Sequence, residues 1–217
     1  MLYLISTPIG NLKDITLRAI DMFESIDVLL CEDTRRTGML LKELKIANSP
    51  KLFSFYDEVE RQKIPQIIEM LKEGLEVGLV TDAGTPLLSD PGWLLVKKCQ
   101  ELGLKYTAIP GACATINALV LAGLPMGRFS YLGFLPKKDG ERKKLLEKYR
   151  EVEGAKVVYE SPLRTEKLVR EIKEIYGSEV DIRIIREMTK KFEEVKTDWD
   201  GDIRGEVVIV FCSQPRQ

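Results

Sequence analysis

Residues 81–92 read TDAGTPLLSDPG and close the apolar run Val77–Thr81. A short run of this composition, bounded by glycine and proline, is typical of a buried strand followed by a tight turn. Small residues at the strand end let a ligand approach the backbone closely. Asp90 and Pro91 are suited to the cap and the first position of a helix. The stretch therefore predicts a strand, a ligand-binding loop and a helix, in that order.

The alternation of short strands and amphipathic helices continues on both sides of this loop. Predicted strands occupy Tyr3–Ser6, Val28–Cys31, Leu52–Phe55, Val77–Thr81 and Tyr106–Ile109. Predicted helices occupy Leu17–Glu24, Met39–Leu44, Ile64–Glu73 and Gly92–Leu102. Strands that alternate with helices predict a parallel, doubly wound sheet, in which ligands bind beyond the carboxyl ends of the strands.

The second half of the chain has a different pattern. Predicted strands occupy Phe129–Phe134, Lys156–Tyr159, Ile182–Arg186, Glu194–Thr197 and Val207–Phe211, and predicted helices occupy Glu141–Val152 and Leu163–Tyr176. Strands separated by short turns, such as the one at 199–202, predict a mixed sheet with antiparallel pairs. We therefore predict an α/β protein of two domains. Residues 1–112 form a parallel α/β domain with ligand loops at its strand ends, and residues 113–217 form a mixed α/β domain.

The amino-acid composition limits the catalytic groups and the binding partners that the protein can have. The 217 residues carry 33 lysines and arginines against 34 aspartates and glutamates, so any nucleic-acid contact depends on a local patch. The sequence contains no histidine, which excludes a histidine base and a Ser-His-Asp triad within it, and we expect no metal site. Its four scattered cysteines indicate reduced thiols and a cytoplasmic protein. The longest apolar run, around Ile116–Leu124, is too short to span a membrane.

Charged segments follow several predicted strands. Residues 32–38, EDTRRTG, place two carboxylates beside Arg35 and Arg36, and guanidinium groups suit bidentate contact with phosphate. A local ion-pair network at a helix start would explain the same residues. The basic segment 137–150 fits either a phosphate-contacting face or a solvated helix surface. Neither the dinucleotide fingerprint G-x-G-x-x-G nor the P-loop motif occurs.

Eight segments in register resemble the ribosomal RNA small-subunit methyltransferase I family of the tetrapyrrole-methylase superfamily. They are TPIGNLKDIT (7–16), CEDTRRTG (31–38), VTDAGTPLLSDPG (80–92), IPGACATINAL (109–119), YLGFLPKK (131–138), YESPLR (159–164), REMTKKFEE (186–194) and GEVVIV (205–210). The resemblance implies a homodimer of two-domain subunits, with S-adenosylmethionine in a cleft that the second domain completes. It also implies the reaction, which is 2′-O-methylation of a cytidine ribose in the decoding region of 16S ribosomal RNA. Free RNA and an assembled small ribosomal subunit are both open as substrates.

The resemblance assigns roles by motif position. Cofactor contact falls to Pro8, Asp82, Gly84, Thr85, Leu88, Ala114, Thr115, Leu163 and Gly205. A ribose hydroxyl is a poor nucleophile, so a nearby carboxylate or lysine would help to remove its proton. The candidates for this base are Glu187, Asp33 and Lys13. The candidates for phosphate contact are Arg35, Arg36, Arg164 and Lys190.

Two other functions fit part of the pattern. A relative in the same superfamily could methylate a tetrapyrrole or a modified amino acid, although the arginine-rich segment 31–38 and the segment 186–191 favour a substrate that carries phosphate. A non-catalytic nucleotide-binding module would explain the strand-end loops, but not the carboxylates spread over both domains. Such a module should prefer ATP or NAD to a methionine-derived cofactor.

Overall fold

The computed structural model describes residues 1–199, 201 and 204–212, and the chain divides into two compact units, the second of which begins at Ala114. The strands of the first unit are β1 (Leu2–Ile5), β2 (Val28–Cys31), β3 (Lys51–Ser54), β4 (Val77–Leu79) and β5 (Tyr106–Ile109). Its helices are α1 (Leu17–Ser25), α2 (Thr34–Glu43), α3 (Asp57–Lys72) and α4 (Trp93–Glu101), and a 3-10 turn spans Leu12–Asp14. The strands form one parallel sheet in the order β3-β2-β4-β1-β5, which confirms the predicted architecture.

Both faces of this sheet are buried. Successive side chains of a strand point to opposite faces. In β2, Leu30 packs in a cluster with residues of α3 and α4, whereas its neighbour Leu29 packs with residues of α1 and α2. A strand covered on both sides has no polar face, which explains the uninterrupted sequence VLLC in β2.

Three predicted helix starts were wrong. α2 begins at Thr34 rather than Met39, because the Asp33 side chain accepts the N–H of Arg35 and caps the helix. α3 begins at Asp57 rather than Ile64 and continues through Pro65, and three acidic residues in its first turn suit the helix dipole. Asp90 does not cap α4, which begins at Trp93 after Gly92 without a side-chain cap.

The second unit contains a mixed sheet. Its elements are α5 (Ala114–Ala122), β6 (Phe129–Phe134), α6 (Asp139–Lys148), β7 (Ala155–Glu160), α7 (Pro162–Tyr176), β8 (Asp181–Arg186), β9 (Glu194–Lys196) and β10 (Val207–Cys212). The strand order is β6-β7-β10-β8-β9; β6 and β7 are parallel, and the other pairs are antiparallel, as predicted. α5 was not predicted as a helix. The predicted turn at 199–202 lies partly outside the described residues.

Helices cover both faces of the mixed sheet. Leu146 of α6 and Leu168 of α7 belong to one buried cluster with alternate residues of β7, β8 and β10. α5 packs against the same three strands. Cys31, Cys99 and Cys212 are buried and Cys113 is partly exposed, all four as free thiols. Over the described ranges, every helix falls short of the length and apolar character that a membrane span requires.

Candidate active site

Three loops of the first unit are joined where β4, β1 and β5 end. Thr7 and Gly84 exchange backbone hydrogen bonds, with N···O distances of 2.9 and 3.1 Å. The Ser6 hydroxyl donates to Thr85 Oγ1 at 3.2 Å, and Thr85 Oγ1 donates to the carbonyl oxygen of Ala112 at 3.0 Å. Since these strands are neighbours in the sheet, the three loops form one continuous, hydrogen-bonded surface.

Gly84 is required by the geometry of this surface. Its φ of +85° lies in the left-handed region, and a Cβ atom there would lie 3.1 Å from Ile9 Cγ2 and 3.6 Å from the Ala112 carbonyl oxygen. An L-residue at this φ is strained. Any side chain would also crowd the joined loops, so glycine is required here by the packing of the protein itself, and the close approach of a ligand at Gly84 stays a prediction.

Four charged residues at the ends of β2 and β4 form an ion-pair network. Asp82 accepts the backbone N–H of Asp33 at 3.3 Å and Arg36 Nη1 at 2.6 Å. Arg35 donates to Asp33, and this hydrogen bond lowers the pKa of Asp33 to about 2. The structure therefore brings a predicted cofactor residue, Asp82, against a predicted phosphate-contacting residue, Arg36. The ion-pair interpretation of this segment is confirmed, and it leaves the Arg35 side chain 87% exposed.

Two carboxyls near the same strand ends, Asp90 and Glu32, have raised pKa values, whereas that of Asp33 is lowered. Burial raises the pKa of Asp90 to about 6, with a further rise from the nearby Glu32, Asp57 and Asp82 carboxylates that a Thr81 hydrogen bond partly offsets. Burial and the Asp82 charge also raise the pKa of Glu32. Sequence reasoning missed Asp90 as a titrating group because it treated this residue as a helix cap.

In the second unit, predicted residues gather at one edge of the mixed sheet. Val207, the first residue of β10, pairs with Glu160 at the end of β7 and with Arg186 at the end of β8. The first turn of α7, the loop after β8 and the residues before β10 therefore lie at the same edge. Leu163, which is 73% exposed, and Arg164 belong to that first turn.

Glu187 lies against both Lys190 and Gly205 at this edge. Glu187 Oε1 accepts Lys190 Nζ at 2.9 Å and the backbone N–H of Glu206 at 3.0 Å, and Lys190 also reaches Glu206. The Lys190 hydrogen bond lowers the pKa of Glu187. Partial burial lowers the pKa of Lys190, but its two carboxylate partners outweigh burial and the net pKa is raised. A Cβ on Gly205 would lie 2.6 Å from Glu187 Cγ, so glycine is required there.

Arg164 is held by a buried carboxylate. Its Nη2 lies 2.5 Å from Glu160 Oε1, and Glu160 also accepts the backbone N–H of Ser161. Arg164 Nη1 is buried without a hydrogen-bond partner among the described residues. Glu160 is not among the predicted site residues, although it directly follows a predicted apolar strand in the matched segment YESPLR (159–164).

The remaining predicted residues are less closely connected. Ala114 begins α5, and the Thr115 hydroxyl lies 2.8 Å from the Tyr159 hydroxyl. Lys13 is exposed in the 3-10 turn. Pro8 and Leu88 are partly exposed in the loops after β1 and β4. Ser6, Glu206 and Tyr159 were missed, since their contacts join residues far apart in the sequence.

Comparisons with known proteins identify the family of the chain. The family model for tetrapyrrole (corrin/porphyrin) methylases matches residues 1–199. The chain is 44% identical to the ribosomal RNA small subunit methyltransferase I of Vibrio cholerae, over 90% of this chain and 67% of the relative. It is 38% identical to the Haemophilus influenzae protein of the same name, over 100% of this chain and 80% of that relative. The corresponding Thermotoga maritima protein is 40% identical over 89% of this chain and 85% of its own length.

Solved structures support the fold at lower identity. The methyltransferase CobJ superposes with a TM-score of 0.74 at 16% identity, covering 100% of this chain and 96% of that chain. A uroporphyrin-III-C-methyltransferase from Thermus thermophilus gives a TM-score of 0.65 at 19% identity, covering 98% and 94%. At these identities the likeness shows the fold alone, whereas the closer relatives show the family. The chain therefore belongs to the tetrapyrrole methylase family and, within it, to the ribosomal RNA small subunit methyltransferases I.

Proposed function

We propose that the protein transfers a methyl group from S-adenosylmethionine to the 2′-hydroxyl of a cytidine ribose in the decoding region of small-subunit (16S) ribosomal RNA. The observation that carries the proposal is the joined surface of loops after β4, β1 and β5, in a chain that belongs to a ribosomal RNA methyltransferase family. Cationic side chains at both sheet edges favour a phosphate-bearing acceptor over a tetrapyrrole or an amino acid.

The residues of the first unit fit the cofactor chemically. S-adenosylmethionine presents an ammonium group and ribose hydroxyls, for which the partly exposed Asp82 carboxylate is a suitable acceptor. Gly84 is buried and lets the loops after β1, β4 and β5 pack together, and Pro8, Thr85 and Leu88 add small or apolar, partly exposed surface beside it. Cofactor contact in the second unit is proposed for the residues assigned by motif position, which are Ala114, Thr115, Leu163 and Gly205. When bound, the cofactor supplies an electrophilic methyl group.

The protein's own groups must position the ribose and receive its proton. Asp33 and Glu187 are held by Arg35 and Lys190, and both carboxylates have lowered pKa values, which makes them weak bases in these pairs. A phosphate that drew Arg35 or Lys190 away would raise the basicity of its partner. We therefore propose that substrate binding activates one of these carboxylates; Lys13 is the alternative base. Arg36 and Arg164 are proposed as further phosphate contacts.

We also propose that the protein is a cytoplasmic homodimer. α5 carries apolar residues on its buried side, where Ala118 and Leu119 lie, and on its exposed side, where Ile116 and Val120 are 44% and 62% exposed one turn apart. An exposed apolar helix face of this kind is typical of a surface that another protein covers.

Methyl transfer to small ribosomal subunits that lack the modification tests the proposal. Radiolabel from S-adenosylmethionine should appear on a ribose after digestion of the RNA. Gly84→Ala should weaken cofactor affinity by roughly tenfold or more in calorimetry, since the added Cβ intrudes between the joined loops. Gly74→Ala is the matched control, because Gly74 has a φ of +90° and no atom within 4 Å of its Cβ position.

Each result has a separate meaning. Label found on a base instead of a ribose would overturn the 2′-hydroxyl as acceptor. Cofactor binding without any label in RNA would move the acceptor to another class of molecule. Equal loss of cofactor affinity in both glycine variants would attribute the effect to backbone strain and remove Gly84 from the cofactor site.

A further inference from the structure

The loop between β8 and β9 is held firmly by its own hydrogen bonds. The backbone N–H of Lys190 donates to the Glu187 carbonyl at 3.0 Å, and that of Glu193 donates to the Lys190 carbonyl at 3.1 Å. The Thr189 N–H donates to the Glu193 carboxylate at 2.7 Å. Glu187 and Thr189 adopt positive φ values of 51° and 64°, which non-glycine residues rarely do without such support. The loop therefore presents its side chains in a fixed arrangement.

A large aromatic side chain projects from this loop into solvent. Phe192 is 63% exposed, and the ammonium of Lys191 lies 5.5 Å from the centre of its ring. Leaving an aromatic ring in water forgoes the free energy of burying it. Its neighbours Lys191 and Glu193 are also exposed, so Phe192 is a single ring among charged groups rather than part of an apolar patch.

The loop's charges favour an anionic partner. Its carboxylates are already engaged: Glu187 holds Lys190, Glu193 holds the Thr189 N–H, and Glu194 pairs with Arg186 and Lys196. Within the part of the chain that the structure describes, the Lys191 ammonium forms no ion pair. An exposed ring beside an available cation is the combination that binds single-stranded nucleic acid, since a base stacks on the ring and a phosphate meets the ammonium.

We propose that Phe192 is a stacking platform for one base of the RNA substrate, with Lys191 contacting a neighbouring phosphate. This inference rests on the proposed function and assigns part of the RNA interface to the β8–β9 loop. Phe192 and Lys191 follow directly after Lys190, so stacking here would place the ribose-phosphate chain beside the predicted phosphate contacts of the same edge.

The test compares Phe192→Leu, Phe192→Trp and Lys191→Met in the full chain. The probes are unmodified small ribosomal subunits and a single-stranded oligoribonucleotide that carries 2-aminopurine. Phe192→Leu should weaken binding about tenfold, equally at low and high salt, and Phe192→Trp should retain it. Log affinity falls as log salt concentration rises, and Lys191→Met should make this fall less steep, reducing the magnitude of the slope by about 0.7. Phe129→Leu is the matched control. Phe129 is an exposed aromatic residue at the start of β6, at the end of the mixed sheet that lies away from Glu160 and Arg186.

Several outcomes would overturn the inference. Unchanged RNA affinity in Phe192→Leu would remove the ring from the interface, as would an equal loss in Phe129→Leu. Unchanged RNA affinity with an altered sedimentation coefficient in Phe192→Leu would show that a second copy of the chain covers the ring instead. Cofactor affinity should stay constant throughout. If the wild-type protein binds the oligonucleotide through Phe192 but labels no ribosomal RNA, the proposed function fails and the stacking site stands.

Discussion

Asp90 is a carboxyl whose pKa is raised well above the ordinary aspartate value by its surroundings. It lies partly buried near three other carboxylates, and its pKa is raised to about 6. An aspartate whose folded-state pKa exceeds its unfolded value of about 3.9 destabilises the fold when it is ionised. This destabilisation is complete above about pH 6 and disappears as pH falls toward 4, because the folded state then takes up a proton.

Asp90→Asn should therefore stabilise the protein at pH 7.5. The expected gain is about 1 kcal/mol once solvent screening of a partly exposed group is allowed for. Denaturant titrations at pH 7.5 and pH 4.5 measure it, and the gain should fall to roughly a third at the lower pH. A gain of the same size at both values would mean that ionisation of Asp90 is not its cause.

Individual site residues differed in how far the sequence could predict them. Gly84 could be predicted as a special position because a glycine just after a strand indicates a tight turn. Its positive φ agrees with such a turn. The contact between Arg36 and Asp82 could not be predicted, since the two residues are 46 positions apart and meet only because β2 and β4 are neighbours. Ser6 was missed for the same reason: its partner, Thr85, lies 79 positions away.

A buried ion pair joins helices α6 and α7. Arg142 and Leu146 are the buried residues of α6. The Arg142 guanidinium donates two hydrogen bonds to the Glu171 carboxylate of α7, with both side chains only 5% exposed. It also donates to the carbonyls of Pro136 and Lys137, which fixes the chain that leads into α6.

Glu171→Gln should lower the free energy of unfolding by about 3 kcal/mol, because it removes the buried counter-charge of Arg142 and leaves only the exposed Asp139 carboxylate, 2.8 Å from Arg142 Nη2, beside the guanidinium. Glu174→Gln is the control: Glu174 pairs with Lys143 across the same two helices but is 60% exposed, so its loss should be under about 1 kcal/mol. Urea unfolding of both variants measures the difference. Losses of similar size would show that burial does not distinguish the two pairs.

Strands were predicted more accurately than helices, for a physical reason. β2, β5 and β6 have the predicted bounds, because each strand coincides with a short run rich in apolar and aromatic residues. Helix starts depend on capping, and α2 and α3 begin in polar sequence that carries no apolar period. α5 was missed because apolar residues lie on both its buried and its exposed sides, so the sequence shows no clear helical alternation.

For the assembled protein, the exposed face of α5 makes the proposed homodimer testable. Val120→Glu places a charge in the apolar face and should shift the protein from dimer toward monomer, because burying an unpaired carboxylate is unfavourable. Val152→Glu is the control, since Val152 is 41% exposed and lies outside α5. Sedimentation velocity distinguishes a 24.7 kDa monomer from a species of twice that mass. A Val120→Glu protein that sediments like the wild type would place any dimer contact elsewhere.

The position of β1 between β4 and β5 governs the order in which the first unit can form during synthesis. β1 is made before both of its partners, since β4 and β5 begin only at Val77 and Tyr106. β1 therefore waits until β5 has been made before both of its sides are paired. Parallel pairing over such separations is slow to form and exposes strand edges meanwhile. A chain halted before Tyr106 would keep one edge of β1 open to pairing with another nascent chain.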